Sequence, residues 1–270
     1  MKLFCFGMGY TAKKLCKSLS TEKWHFSGTN RKSGDFIFNG NEPMHNAQSV
    51  LKDVTHLLIS IAPSKENGDL VLLHHQKDIL NMPSLKWVGY LSATSVYGDY
   101  SGNWVDETSE TKPVGARGLE RKKAEQQWEN LGFRLHIFRL SGIYGPERNQ
   151  VNAIKEQTIQ KIIKEGHSFS RIHVEDIVSA LMLSMNDPIP GIYNLADDQP
   201  SSTADIIDYV CEQLNTKKPK GVPFEEADLS EMRRSFYQDH KKVSNKKLKK
   251  IYNWKPKYSD YKAGYDSFLK

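Results

Sequence analysis

At 270 residues and 38% hydrophobic content, the chain has the means to bury a large core in one or two domains, as an ordinary soluble globular protein does. Its longest apolar runs, such as 57–62, fall far short of a membrane span, and an apolar strand opening at residue 2 leaves no room for a leader, so a cytoplasmic location is expected. Three cysteines, Cys5, Cys16 and Cys211, are odd in number and share no C-x-x-C spacing, which argues against a disulfide framework or a zinc site and for buried, reduced thiols.

The first element is a buried strand at 2–6. It runs at once into Gly7-Met8-Gly9-Tyr10-Thr11-Ala12, a glycine turn followed by a helix over 10–20. In this pattern Gly7 permits a tight turn, Gly9 lets a backbone approach a pyrophosphate, and Ala12 lets the helix pack close on the strand. The helix N-terminus offers unpaired N–H groups and a positive dipole end to phosphates. Taken alone the G-x-G-x-x-A match is also what any strand-to-helix glycine turn would give.

Further strands are predicted at 24–29, 56–62, 86–92 and 134–140, with helices at 44–52, 66–80 and 117–131. This alternation is the signature of a parallel sheet with helices on both faces. Residues 171–195 read as a return to the sheet, with a helix over 174–185 and a strand at 191–195. The predicted architecture is therefore α/β, a doubly wound parallel Rossmann sheet with a smaller C-terminal substrate lobe. Residues 1–145 and the return segment 171–195 form the first part; 146–170 and 196–270, helical near 202–214, form the second. A cleft over the carboxyl ends of the strands is the expected ligand site.

The end of the second strand supplies an independent signal. A carboxylate there would select NAD, but the chain reads Gly28-Thr29-Asn30-Arg31-Lys32-Ser33, with Arg31 standing 24 positions after Gly7. An arginine there can pair bidentately with the 2′-phosphate of NADP and stack on adenine, with Asn30 and Lys32 beside it. Exposed basic residues after a strand are the plainer alternative.

Late in the chain, Lys241, Lys242, Lys246, Lys247, Lys249, Lys250, Lys255 and Lys257 concentrate the net charge of +6. Such a run can track a nucleic-acid backbone, but no stacking aromatics are regularly interleaved, which favours a solvated helix face.

Five segments fall in a familiar order: LSATSVYGD at 91–99, FRLSGIYGPERN at 138–149, IHVEDIVSAL at 172–181, GIYNLADDQPSS at 191–202, and KKVSNKKL at 241–248 followed by Tyr252-Asn253-Trp254-Lys255-Pro256. Over nearly its whole length the chain resembles the extended short-chain dehydrogenase/reductase family, the nucleoside-diphosphate-sugar epimerases and dehydratases. The resemblance implies a Rossmann domain with a small substrate lobe, a small-molecule substrate, and often a homodimer. It places cofactor contacts at Gly7, Met8, Gly9, Tyr10, Thr11, Arg31, Ala62, Ser92 and the 140–143 stretch including Gly142. The glycine turn is shorter than the family's usual G-x-x-G-x-x-G, which points to an atypical subgroup.

In that family a Ser or Thr before V-Y-G and a Tyr-x-x-x-Lys on the next helix handle protons. Counting back from Val96 puts Ala93 in the hydroxyl position, with Thr94 as its neighbour. Aligning the helix by Ala124-Glu125 puts Arg117 in the tyrosine position and Arg121 in the lysine position; using Lys122 or Lys123 instead puts Gly118 or Leu119 where the tyrosine should stand. Arginine stays charged above pH 12, so Arg117 cannot be the usual proton donor. Two guanidinium groups at i and i+4 can instead clamp an anion, and Arg121 can hold the nicotinamide ribose as the family's lysine does. The structural alternative pairs Arg121 with Glu125 and turns Arg117 to solvent.

Tyr97 and Tyr144 are substitute acids by position, although turn tyrosines commonly pack as lids over a core. His173 and Asp176 belong by resemblance to a structural helix, and Ser141 lacks the G-x-S-x-G elbow of a hydrolase. The sequence thus predicts an NADP-binding oxidoreductase acting on a small anionic or sugar-like substrate by a non-standard proton arrangement. The alternatives are a catalytically silent NADP-binding sensor or interaction protein and, more weakly, nucleic-acid binding through 241–257.

Overall fold

Alternation along the first strand sets up the two faces of the molecule. In β1 (Lys2–Phe6), Leu3 and Cys5 enter one core while Phe4 and Phe6 enter the other, as the two-residue period of a strand buried on both sides requires. The computed structural model describes residues 1–269, apart from the side chain of Met232. β1 pairs in parallel with β2 (His25–Asn30) on one side and β4 (His56–Ile59) on the other. β3 (Phe36–Ile37) extends the sheet beyond β2, and β5 (Trp87–Ala93), β7 (Leu135–Leu140) and β11 (Gly191–Leu195) extend it beyond β4, giving the order β11-β7-β5-β4-β1-β2-β3 with every pairing parallel. The chain thus winds outward from β1 and then crosses back to β4, which puts the topological switch point between those two strands.

Helices cover both faces. α1 (Tyr10–Ser18), α6 (Val174–Asn186) and α9 (Lys246–Tyr252) lie over Leu3 and Cys5, whereas α2 (Ala47–Leu51), α3 (Leu70–Leu80) and α4 (Ala116–Glu129) lie over Phe4 and Phe6. Outside this sheet stand three two-stranded parallel pairs. β8 (Gly142–Tyr144) joins β10 (Arg171–His173), β9 (Lys161–Ile163) joins β12 (Gly221–Pro223), and β6 (Trp104–Val105) joins β13 (Lys242–Val243). α5 (Val151–Lys155), α7 (Thr203–Gln213) and α10 (Tyr261–Asp266) gather around Tyr144, Ile154, Ile207, Val210 and Tyr265, and a short α8 (Glu231–Ser235) precedes β13.

Some boundaries differ from those predicted. β4 stops at Ile59, because the chain peels away after Ser60 N–H reaches Phe6 O at 2.9 Å. α3 begins only at Leu70, where Asp69 caps it by accepting from the N–H groups of Val71 and Leu72; 64–68 form a tight turn closed by Ser64 and Gly68. The helix expected over 44–52 shortens to α2, behind Asn46 at φ 54°. β3 and the strands of the three pairs are too short to carry a periodic signal.

Candidate functional site

The glycine turn sits at the switch point. Gly7 N–H donates to Thr29 Oγ1 at 2.9 Å and Met8 N–H to Thr29 O at 2.8 Å, tying the turn to β2. Gly7 has φ +93°, and a Cβ there would stand 2.8 Å from Ile61 Cγ1, so both backbone and space demand glycine. At Gly9 the nearest atom to an added Cβ is Ser60 Oγ at 3.9 Å, which leaves open room above the turn. Gly9 caps α1 without a side-chain acceptor, and no acid stands in the first turn, so the leading N–H groups remain available. Thr11 and Ala12 are buried beneath; Tyr10 is half-buried and donates its hydroxyl to Pro146 O at 2.6 Å.

Sequence reasoning passed over Gly28. A Cβ there would lie 2.4 Å from Cys5 O and 2.9 Å from the Met8 side chain, so its absence lets Met8 fold down against β2. A glycine inside a strand was the available signal of such a close approach.

Beyond β2, Arg31, Lys32 and Ser33 are exposed on the short connection to β3, which resumes pairing when Phe38 N–H reaches Asn30 O at 2.9 Å. Neither Arg31 nor Lys32 meets a carboxylate among the described residues. Ala62 and Gly142 are exposed along the same sheet edge. Ser92 differs: it is buried, and its hydroxyl donates to Glu125 Oε1 at 2.5 Å, so it has only backbone to offer a ligand.

The positions that the family resemblance marks for proton transfer lie at the end of β5 and the start of α4. Ala93 ends the strand, and Thr94, half-buried, opens a 3-10 turn over Thr94–Tyr97. Gly118 lets α4 press onto this turn, for a Cβ there would stand 2.5 Å from Ser95 O. The two arginines diverge. Arg121 Nη1 donates to Leu91 O at 2.5 Å with its guanidinium 5.9 Å from the Tyr90 ring centroid, while Arg117 is exposed with its guanidinium 5.3 Å from the centroid of Phe236 at the end of α8. They form no joint clamp. Arg121 does not pair with Glu125 either, because that carboxylate is committed to Ser92 and Arg139.

Both substitute acids are packed away. Tyr97 is fully buried, accepts from Arg139 Nη1 at 3.0 Å and donates to Asn194 Oδ1 at 2.8 Å, and burial pushes its hydroxyl up to about 12. Tyr144 stacks on Tyr265, donates to Asp260 O at 3.3 Å and is likewise held well above the usual tyrosine value by burial. His173 caps α6 by accepting from Glu175 N–H, and Asp176 accepts from the N–H groups of Lys257 and Tyr258, so both serve the helix and the closing segment. Ser141 is buried, with its N–H donating to Leu195 O at 3.0 Å and its hydroxyl unpartnered among the described residues. Unforeseen was Asp197, 2% exposed at the end of β11, where burial raises its carboxyl to about 8 against the opposing pull of Arg171.

Half of the lysine run is engaged within the fold. Lys241 pairs with Asp239, Lys249 with Asp198 and Lys257 with Glu175, and Lys247 lies 5.1 Å from the centroid of Tyr193. Among the described residues no group of three His, Cys, Asp or Glu could hold a metal ion, and no helix is long and apolar enough to cross a membrane.

Comparison with known proteins finds no matching family model. The chain is 28% identical over 215 residues to Protein YeeZ of Escherichia coli K12, covering 72% of this chain and 77% of that one. A functionally unknown conserved protein from Silicibacter pomeroyi DSS is 42% identical with a TM-score of 0.91, over 98% of this chain and 97% of that one. The dTDP-glucose 4,6-dehydratase of Bacillus anthracis, solved with NAD, has a TM-score of 0.78 at 16% identity over 100% of this chain and 95% of its own. The UDP-glucuronic acid 4-epimerase of Bacillus cereus, also solved with NAD, matches with a TM-score of 0.78 at 17% identity over 100% and 97%.

Proposed function

As the chain belongs to the same family as the functionally unknown Silicibacter pomeroyi protein and shares the fold of epimerases and dehydratases solved with NAD, we propose that it is an atypical extended short-chain dehydrogenase/reductase that binds NADP in the cytoplasm. Its substrate is a small anionic or sugar-like molecule. The observation that carries this reading is the exposed, carboxylate-free Arg31-Lys32-Ser33 loop beside a glycine turn with open space above Gly9.

The residues present fit a dinucleotide. Backbone of Gly7, Met8, Gly9, Tyr10 and Thr11 would hold the pyrophosphate, Asn30, Arg31 and Lys32 the 2′-phosphate end, and Ala62, Gly142 and the backbone of Ser92 the nicotinamide half. The nicotinamide supplies hydride chemistry when bound; the chain's share is orientation and electrostatics. Arg121, anchored on Leu91 O, keeps further N–H donors for the nicotinamide ribose, and Thr94 offers a hydroxyl near the position that Ala93 leaves without one. Arg117 would meet the anionic part of the substrate.

The test is affinity for NADPH against NADH, followed by absorbance at the nicotinamide band across aldehydes, ketones and nucleotide sugars. Preference for NADPH with turnover of at least one compound is the expected result. Tight NADPH binding without any turnover would favour the second reading, a silent NADP-binding sensor or interaction protein. That reading draws support from Tyr97 and Tyr144, both hydrogen-bonded within the buried core.

A further inference from the structure

We infer that Phe236 is a positioning residue for Arg117, and that the two build an anion clamp between the start of α4 and the end of α8 for a substrate bearing a carboxylate or phosphate group. This rests on the proposed reading of Arg117 as facing the substrate.

Arg117 and Phe236 are brought together from distant parts of the chain. Arg117 lies in the first turn of α4, in the position where the resembled family has its tyrosine, and Phe236 directly follows α8. Phe236 is 55% exposed, although its neighbour Tyr237 packs on Phe224 and Phe169 with centroids 5.0 and 5.3 Å away. An exposed phenyl ring beside well-packed aromatics contributes little to core packing. What it does contact is the Arg117 guanidinium, 5.3 Å from its centroid.

That contact leaves the chemistry of Arg117 intact. A guanidinium over a ring still carries its five N–H donors, and Arg117 spends none of them on a hydrogen bond or ion pair among the described residues. The ring therefore restrains a long side chain in advance, lowering the entropy lost when a planar anion is gripped. The surroundings suit an anion. The first turn of α4 holds no acid, and Arg233 and Arg234 stand in the last turn of α8. Glu231 stands at the far end of α8, in its first turn.

The experiment uses the full chain labelled with ¹⁵N-arginine, with the Arg117 Nε–Hε resonance assigned through Arg117→Lys and titrated with inorganic pyrophosphate and with succinate. NADPH affinity is measured alongside. The wild-type resonance should shift saturably with at least one anion, Phe236→Ala should weaken that binding at least fivefold, and Phe236→Tyr should restore it to within twofold. NADPH affinity should stay the same in all variants. A wild-type resonance indifferent to both anions, or a Phe236→Ala variant that binds as tightly as wild type, overturns the clamp. A chain that grips pyrophosphate through Arg117 and Phe236 yet binds no nicotinamide dinucleotide upholds the clamp and overturns the proposed cofactor.

Discussion

Arg139 and Glu125 form an ion pair almost sealed from water, with Arg139 Nη2 2.7 Å from Glu125 Oε2 and both side chains about 5% exposed or less. Burial disfavours the Arg139 charge, but the Glu125 carboxylate more than offsets this and raises its pKa. Glu125 also accepts from Ser92; Arg139 donates to Tyr97, which donates to Asn194, whose Nδ2 reaches Ser244 O. One polar chain thus links β5, α4, β7, β11 and the closing segment beneath the site. Replacing only one member of the pair leaves a buried charge alone, so Glu125→Gln should cost about 3–5 kcal/mol in urea unfolding. Glu125→Met with Arg139→Met together should cost less than the sum of the single changes. A loss below about 1 kcal/mol for Glu125→Gln would contradict this account.

Cofactor choice is tested at Arg31. Charge-assisted hydrogen bonds to a phosphate are worth about 1.5–3 kcal/mol, so Arg31→Asp should weaken NADPH roughly ten- to hundredfold and leave NADH within a few-fold. Calorimetric titration of both cofactors decides it. Equal affinity of the wild type for NADPH and NADH would remove the role assigned to Arg31.

Restoring the family's residues separates chemistry from binding. Ala93→Ser, Arg117→Tyr and Arg121→Lys together should keep NADPH affinity close to wild type while abolishing whatever turnover the natural chain has. Steady-state absorbance beside a binding isotherm reads both. Undiminished turnover would show that the arginines take no part.

Acid should destabilise the fold before it protonates most carboxylates. His56, His136, His167 and His173 are held down to about 4, chiefly by burial, against about 6.5 for a free imidazole. Below pH 6.5 the unfolded chain binds protons that the folded chain refuses, so stability falls as pH drops from 6.5 towards 4. Urea denaturation at pH 7, 6, 5 and 4.5 should show a loss of more than about 1 kcal/mol per unit within that window. A flat profile would mean that these rings protonate in place.

Asp197 works in the opposite direction. With its folded pKa raised to about 8 from a reference of 3.8, its contribution is complete below 3.8 and is lost as pH rises through 8. Asp197→Asn should therefore leave the melting temperature near wild type at pH 4 and raise it at pH 8. An equal shift at both values would point to packing rather than ionisation.

The fold was legible wherever it depended on neighbours in sequence. The continuous apolar run at 3–6 and the glycine at 7 carry their meaning locally. The side-chain wiring was not. Glu125 and Arg121 stand one turn apart on α4, and local rules would pair them, but the strands bring Ser92 and Arg139 to Glu125 and the Leu91 carbonyl to Arg121. The lysine run likewise looked unopposed, because Asp198 and Glu175 lie far from it in sequence and beside it in space.

Gly118 sets how closely α4 can approach the end of β5. With a Cβ only 2.5 Å from Ser95 O, this position admits no side chain unless α4 lifts off the turn over Thr94–Tyr97. The seam between helix and strand therefore depends on a residue that contributes nothing but backbone, and Gly118→Ala would pry the two apart from the inside.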